Sequence, residues 1–102
     1  MSIATIRLEV LPGLSEVFDA KEAGVIVLEE KVERGATVRD VIKKLAMEQH
    51  AFGDIVFDAE NQKVNGHIVM VLNDRLLESL NGLDTIVEDG DVIRLFPVIA
   101  GG

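Results

Sequence analysis

The chain contains no cysteine among its 102 residues. It therefore has no disulfide framework, no thiolate ligand for a metal ion and no cysteine nucleophile. The absence is typical of a cytoplasmic protein, so we expect a cytoplasmic location. It also constrains sulfur chemistry, because a protein without cysteine has no side-chain thiol on which to carry sulfur.

Long apolar runs and a basic leader are missing as well. No stretch of about 18 apolar residues predicts a membrane-spanning helix, and the N-terminus lacks the basic and apolar regions of a secretory signal. The formal net charge is −8, which opposes the phosphate contacts that supply most nucleic-acid affinity. We expect neither a nucleic acid nor a membrane as a partner.

The motifs of common catalytic and metal sites are also absent. His50 and His67 stand apart in the sequence without a second ligand nearby. The serines lack a nucleophile-elbow motif, and no P-loop or dinucleotide-binding glycine motif is present. The acidic run at residues 88–91 is too short for an EF-hand loop, and a hairpin turn explains it better. We predict no metal site, no bound cofactor and no catalytic side chain.

Alternation of apolar and polar residues predicts two strands in the first part of the chain. Residues 3–11 alternate, which is typical of a half-buried strand. Residues 25–32 form a second strand that is rich in β-branched residues. We expect it to fray at the charged residues Glu29, Glu30 and Lys31.

A helix is predicted to follow these strands. Thr37 and Asp40 form a capping box at its start. Its apolar residues recur at i, i+3, i+4, i+7 and i+8, as expected for a helix that packs on a sheet. They are Val38, Val41, Ile42, Leu45 and Ala46.

The second half of the chain predicts further strands. Residues 55–57 form a short candidate strand, and residues 68–72 are apolar on both faces, as in a strand covered on both sides. We expect a turn at residues 73–74, a short returning strand at 75–77 and a final strand at 92–96. The order strand, strand, helix and then two or three strands indicates an α+β domain with one helix on one sheet face.

A tail follows the final strand. Pro97 ends this strand, because proline has no N–H to donate to a sheet ladder. We predict a single domain over residues 1–97 and an extended tail over 98–102. At ~3.3–3.6 Å per residue, the tail would reach roughly 17 Å beyond the domain.

The carboxylate of Gly102 is the candidate functional group of this tail. A carboxylate becomes an acyl donor once adenylation by ATP supplies a good leaving group, and sulfur from another protein then gives a thiocarboxylate. Gly101 and Gly102 lack the Cβ atoms that would block a narrow channel. Phe96, Val98 and Ile99 are candidate anchors in an apolar groove, with core packing as the alternative for all three and above all for Phe96.

Three segments of the chain resemble the ubiquitin-like sulfur-carrier family. They are residues 68–74, 87–92 and 95–102. The resemblance is greatest to the branch that contains the small subunit of molybdopterin synthase, with the thiamine sulfur carriers as relatives. Val98 stands where that branch commonly has a second proline. The resemblance implies a β-grasp fold, a mixed sheet of four to five strands with one main helix on one face.

The resemblance also implies a function. An E1-like adenylating enzyme would activate Gly102 with ATP and Mg²⁺, and a sulfurtransferase would supply sulfur. The thiocarboxylate would then enter the larger molybdopterin synthase subunit and donate sulfur to a pterin precursor. The docking tail would consist of Phe96, Pro97, Val98, Ile99, Ala100 and Gly101.

Three alternatives stand beside this expectation. The chain could modify proteins through an amide between Gly102 and a lysine. It could supply sulfur for thiamine or for tRNA thiolation. It could also be an inert β-grasp interaction module in which the tail has no role.

Overall fold

The structure is a computed structural model. It describes residues 2–11, 25–48, 57–58, 63–64 and 68–97. Residues 98–102 of the predicted tail, both histidines and residues 55–56 of a predicted strand lie outside the described residues.

The described elements are seven strands and one α-helix. In chain order they are β1 (Ile3–Val10), β2 (Ile26–Glu33), α1 (Val38–Glu48), β3 (Phe57–Asp58), β4 (Lys63–Val64), β5 (Ile68–Leu72), β6 (Arg75–Leu76) and β7 (Val92–Pro97). Two 3-10 turns, Leu77–Ser79 and Gly82–Asp84, lie between β6 and β7. The predicted strand, helix and turn order is confirmed in these ranges.

The main sheet has five strands in the order β2-β1-β7-β5-β6. β1 pairs antiparallel with β2 and parallel with β7, and β5 pairs antiparallel with both β7 and β6. β3 and β4 form a separate antiparallel pair. A mixed sheet with one main helix is the β-grasp fold, as the family resemblance implied.

Helix α1 begins at the predicted capping box. The backbone N–H of Thr37 donates to Asp40 Oδ2 at 2.9 Å, and the N–H of Asp40 donates to Thr37 Oγ1 at 3.3 Å. The apolar stripe of the helix is buried, and its members are Val38, Val41, Ile42 and Leu45, with Ala46 partly buried beside them.

The core lies between α1 and one face of the sheet. Ile6 and Leu8 of β1 are completely buried, as are Ile93 and Leu95 of β7. Full burial of a side chain of this size contributes about 1.5–3 kcal/mol to the free energy of unfolding. The core therefore depends most on the two parallel strands at the centre of the sheet.

Strand β2 differs from the prediction. It does not fray at its charged residues but continues to Glu33, which pairs with Ile3 of β1. Side chains alternate between the faces of a strand. Glu30 therefore lies on the same face as Val32, toward α1, and is only 5% exposed.

Strand β5 has a buried apolar residue on each of its faces, although only one face packs on the core. Met70 and Leu72 belong to the core, and Val71 is buried on the opposite face. Asn73 and Asp74 turn the chain with φ angles of 49° and 70°. A turn with positive φ at both central residues matches the twist of a hairpin, so β6 pairs back on β5 as expected.

The acidic run at residues 88–91 is a turn, as predicted, but not a hairpin turn. It leads into β7, which pairs in parallel with β1. The Gly90 φ angle is 89°, and the N–H of Asp91 donates to the Glu88 carbonyl at 3.0 Å. Asp89 Oδ1 accepts a 2.8 Å hydrogen bond from the N–H of Thr5. The carboxylate thus joins this turn to the start of β1.

Candidate functional site at the end of the central strand

The candidate site begins where β7, the central strand of the main sheet, ends. Phe96 pairs with Val69 and Pro97 with Ile68 of β5. On the other edge, the N–H of Leu11 donates to the Leu95 carbonyl at 2.9 Å. Because both neighbours hold β7 almost to its last residue, any segment after Pro97 starts from a fixed position in the sheet.

The start of the same strand is held by Asn73. Its side-chain Oδ1 accepts a hydrogen bond from the N–H of Val92 at 2.9 Å, and its Nδ2 donates to Asp91 Oδ1 at 2.8 Å. Asp91 Oδ2 in turn accepts from the N–H of Glu88 at 2.7 Å. Asparagine tolerates the positive φ of this turn better than most residues, so its backbone and side chain together fix the start of β7.

The two faces of β7 have different environments. Ile93 and Leu95 point into the core, whereas Arg94 and Phe96 alternate with them and lie on the sheet face opposite α1, called here the open face. Phe96 is half-buried there. Core packing, the alternative considered for Phe96, is therefore not observed.

Apolar side chains surround Phe96 on the open face. Val69 lies directly opposite Phe96, and Val71 lies opposite both Arg94 and Leu76. Leu76 is 51% exposed although it is large and apolar. We call Val69, Val71, Leu76 and Phe96 the apolar patch. Its members lie on three neighbouring strands, β5, β6 and β7, and β7 is the strand that ends at Pro97.

A row of charged side chains crosses the open face next to the apolar patch. Arg94 Nε donates to Glu9 Oε1 at 2.9 Å, and Arg7 Nε lies 3.4 Å from Glu9 Oε2. A second guanidinium nitrogen of Arg94 pairs with Asp74. We call Arg7, Glu9, Arg94 and Asp74 the charged row.

Arg94 is the cation at the centre of the charged row. Its hydrogen bond to Glu9 raises the pKa of the Arg94 guanidinium above its ordinary value. The negative charges of Glu9 and Asp74 act in the same direction. Surface ion pairs contribute only about 0–1 kcal/mol to stability. The charged row consequently adds little to the stability of the fold. Its main effect is to fix the orientation of its own side chains on the open face.

The described part of the chain shows neither a group of metal-ligating side chains nor a membrane-spanning helix. Within residues 2–11, 25–48 and 68–97 and the two short strands, no three His, Cys, Asp or Glu side chains could hold a metal ion. Among the same residues, no helix is long and apolar enough to cross a membrane. The serines at positions 2 and 79 are both exposed.

Two of the predicted site residues, Phe96 and Pro97, are placed by the structure at the end of β7. The others lie outside the described residues: Val98, Ile99, Ala100, Gly101 and Gly102. The sequence interpretation missed the remaining members of the apolar patch. For Val69 and Val71 the signal was the apolar character of both faces of residues 68–72, which gives β5 a second apolar face.

Comparison with known proteins gives a family match over most of the chain. The model of the ThiS family matches residues 18–102. Small archaeal modifier protein 3 of Haloferax volcanii is 36% identical over 73 residues, which cover 71% of this chain and 76% of that protein.

Solved structures share the fold at lower identity. The crystal structure of small archaeal modifier protein 1 from H. volcanii has a TM-score of 0.75 and 24% identity, covering 97% of this chain and 100% of that one. A putative molybdopterin converting factor, subunit 1, from Pyrococcus furiosus has a TM-score of 0.69 and 21% identity, covering 94% and 99%. At these identities the likeness shows the β-grasp fold alone. The resemblance is thus confirmed for the family, and the narrower placement beside molybdopterin synthase is not established.

Proposed function

The chain belongs to the ThiS family of ubiquitin-like sulfur carriers, and we propose that within this family it acts as a small protein modifier and sulfur carrier. The observation that supports this choice is its 36% identity over 73 residues to a small archaeal modifier protein. Both activities would use one group, the carboxylate of Gly102, which lies within the residues matched by the family model.

Activation is the first step of the proposal. An oxygen of the Gly102 carboxylate attacks the α-phosphorus of ATP in an E1-like enzyme, and pyrophosphate leaves. The product is an acyl adenylate. AMP is a good leaving group from this carbonyl, whereas the oxide of the free carboxylate is a poor one. Mg²⁺ in the partner would neutralise phosphate charge during this step. No side chain of this chain needs to act as an acid or a base.

The acyl adenylate then has two fates. The amine of a target lysine attacks the carbonyl carbon, AMP leaves, a proton is lost and an isopeptide bond forms. Alternatively, the terminal sulfur of a sulfurtransferase persulfide attacks and releases AMP. A thiol then reduces the resulting acyl disulfide, giving the thiocarboxylate and a new disulfide. The absence of cysteine fits this chemistry, since sulfur is held by the main-chain carboxyl.

The open face supplies the docking surface in this proposal. Phe96 on β7 and Leu76 on β6 are partly exposed apolar side chains of the apolar patch. A buried aromatic anchor is the kind of residue that dominates binding energy at an interface. Contact through the apolar patch would hold the domain while Pro97 and the tail residues direct Gly102 into the partner's active site. The charged row would set the orientation of the contact.

A second candidate function is that of the small subunit of molybdopterin synthase. It is favoured by the sequence Leu95-Phe96-Pro97 followed by the terminal Gly-Gly, and by the shared fold of the P. furiosus protein. In that role the thiocarboxylate would enter a larger synthase subunit and donate sulfur to a pterin precursor. The two candidate functions differ in the molecule that accepts the Gly102 acyl group or the sulfur that it carries.

Activation and acceptor are tested in one set of reactions. The chain is incubated with an activating enzyme and Mg-ATP, and ATP–pyrophosphate exchange is measured. Lysine-containing proteins, a persulfide donor, or the donor with the larger synthase subunit and precursor are then added. Isopeptide-linked Gly102 and a thiocarboxylate support the main proposal, whereas sulfur transfer to the pterin alone favours the second candidate.

The control for these reactions is the matched variant Gly102→Ala, in which a methyl group crowds the attacked carbonyl. We expect this variant to fold normally and to lose most exchange activity. An enzyme that is active on another carrier but gives no exchange with the wild-type chain would refute both candidates.

A further inference from the structure

Strand β2 forms one edge of the main sheet, and among the described residues it pairs only with β1. We propose that a second copy of this chain adds to this edge. The two β2 strands pair antiparallel about a twofold axis, and Glu29 of each copy lies opposite Lys31 of the other. We call the side of Ile26–Glu33 that faces away from β1 the β2 edge. This inference is independent of the proposed function.

The backbone groups of the β2 edge belong to every second residue. The N–H of Arg34 donates to the carbonyl of Ser2 at 3.2 Å. In an antiparallel ladder, hydrogen-bonded pairs of this kind alternate with pairs that are not hydrogen-bonded. The register of β1 and β2 therefore directs the N–H and C=O groups of four residues away from β1, namely Val27, Glu29, Lys31 and Glu33.

A contact from the helix confirms this direction at Lys31. Its carbonyl accepts a hydrogen bond of 2.5 Å from Lys44 Nζ, which reaches the β2 edge from α1. A carbonyl oxygen has two lone pairs, so that of Lys31 can also accept from an added strand. The residues with outward backbone groups all have exposed side chains. A row of such groups is a template for a further strand.

The charges of β2 favour one register of self-pairing. Outward residues face only outward residues across the new ladder, and like charges directly opposite each other destabilise a sheet. A pairing centred on Glu29 or on Lys31 places that residue against its own copy. A pairing centred on Glu30 instead places Glu29 opposite Lys31 on both sides of the axis. Because Glu30 lies near the middle of the eight-residue strand, this register also pairs almost all of β2, whereas centres nearer either end pair less.

The helix-facing side of this pairing is compatible with the same register. Leu28, half-buried in the single chain, lies opposite Val32 of the other copy. Glu30 lies opposite its own copy at the axis, and Lys44 Nζ is 3.6 Å from Glu30 Oε2 in each chain. The two carboxylates and two ammonium groups at the axis then carry no net charge. Pairing therefore covers apolar surface without leaving an uncompensated charge.

The self-paired form leaves the tail free. β2 and β6 are the two opposite edges of the sheet, so pairing through β2 joins two sheets into one and does not cover the apolar patch. A single pair of strands covers little surface, and each chain has a net charge of −8. We therefore expect weak association that requires concentrated protein.

Charge reversal at the β2 edge tests the pairing in the full chain. Sedimentation from micromolar to millimolar concentration should show a monomer–dimer equilibrium for the wild type. Glu29→Lys and Lys31→Glu should each weaken association about tenfold, because both pairs beside the axis become like-charged. An equimolar mixture of these two variants should regain wild-type association, because every pair is again of opposite charge. Lys43→Glu, at an exposed position of α1, is the control that changes the net charge equally.

Two further measurements locate the contact and its register. Hydrogen exchange of the outward amides of Val27, Glu29 and Lys31 should slow as the concentration rises, whereas that of Leu28 and Glu30, which point to β1, should not change. The chain contains no cysteine, so introduced thiols can be trapped cleanly. A mixture of Glu29→Cys and Lys31→Cys should form the mixed disulfide in preference to either homodimer.

Several results would overturn the proposal. One is a wild-type chain that stays monomeric at millimolar concentration. Another is association that Lys31→Glu leaves unchanged or that Lys43→Glu weakens equally. A third is a homodimeric disulfide of Glu29→Cys or Lys31→Cys that exceeds the mixed one. Slowed exchange that occurs only with an extended peptide of different sequence would assign the β2 edge to another partner and would exclude self-pairing.

Discussion

The two faces of the main sheet differ in the apolar surface that they leave exposed. The face toward α1 is almost wholly apolar, and its central residues, such as Leu8 and Ile93, have no exposed surface. The open face instead combines the apolar patch, in which Leu76 is exposed and Phe96 is half-buried, with the charged row. One face has already buried its apolar surface, whereas the other retains apolar surface beside the strand that leads to the tail. The open face is therefore where partner binding would gain most.

The adjacent β7 residues Leu95 and Phe96 test the difference between the two sheet faces most strongly. Leu95 faces the core with no exposed surface. We expect Leu95→Ala to lower the free energy of unfolding by about 2–5 kcal/mol, because it leaves a cavity between the sheet and α1. Chemical denaturation measures this loss. A cost below that of Phe96→Ala would contradict the division between the two faces.

Phe96→Ala is the matched change on the open face. We expect binding of the activating enzyme to weaken by about 1–2 kcal/mol, or roughly tenfold in the apparent KM, because an aromatic anchor is lost. The fold should remain intact because Phe96 lies outside the core. ATP–pyrophosphate exchange at several concentrations of the chain measures the effect. An unchanged KM would remove the apolar patch from the docking surface.

Glu30→Gln tests the one buried charged residue found on the core face among the described residues. The folded pKa of Glu30, about 7, lies above its unfolded value, so wild-type stability falls as the pH rises from about 4.5 to 7. Glutamine keeps the shape without the charge. At pH 8 we expect the variant to be more stable by about 1 kcal/mol, and at pH 4 the two should be similar. Thermal denaturation at both pH values checks this. A variant less stable than wild type at pH 8 would contradict the expected sign.

Arg94→Met tests the charged row and carries the smallest expected effect on stability. The row is partly exposed, so its loss should change the free energy of unfolding only slightly. Binding of the activating enzyme should become less sensitive to salt. Denaturation and exchange assays at low and high ionic strength measure both quantities. A large loss of stability would mean that the row belongs to the structural framework.

The core face was largely predictable because its signals are local. Period-two alternation identified β1, and the i, i+3, i+4 stripe with its Thr37–Asp40 box identified α1. Glu30 is the exception, because a run of charged residues predicts fraying at the end of a strand. The alternation of Leu28, Glu30 and Val32 already placed it on the buried side. A local pattern shows which face a residue occupies, but not which groups meet it across the interface.

The open face was less predictable because it depends on pairing between distant segments. Phe96 meets Val69 only through the register of β5 and β7, and Arg94 meets Glu9 only through the parallel pairing of β1 and β7. Neither register is encoded within a short window of sequence. The predicted roles of the tail residues remain predictions, since these residues lie outside the described part of the structure.

The most direct test of the central claim is the mass of the C-terminal peptide of the chain isolated from cells, before and after reaction with the activating enzyme, Mg-ATP and a sulfur donor. We predict a peptide that ends at Gly102 and exchanges one carboxyl oxygen for sulfur, with no such exchange in Gly102→Ala. A peptide that stays unchanged while another carrier is converted in the same mixture would contradict the claim that Gly102 is the activated group.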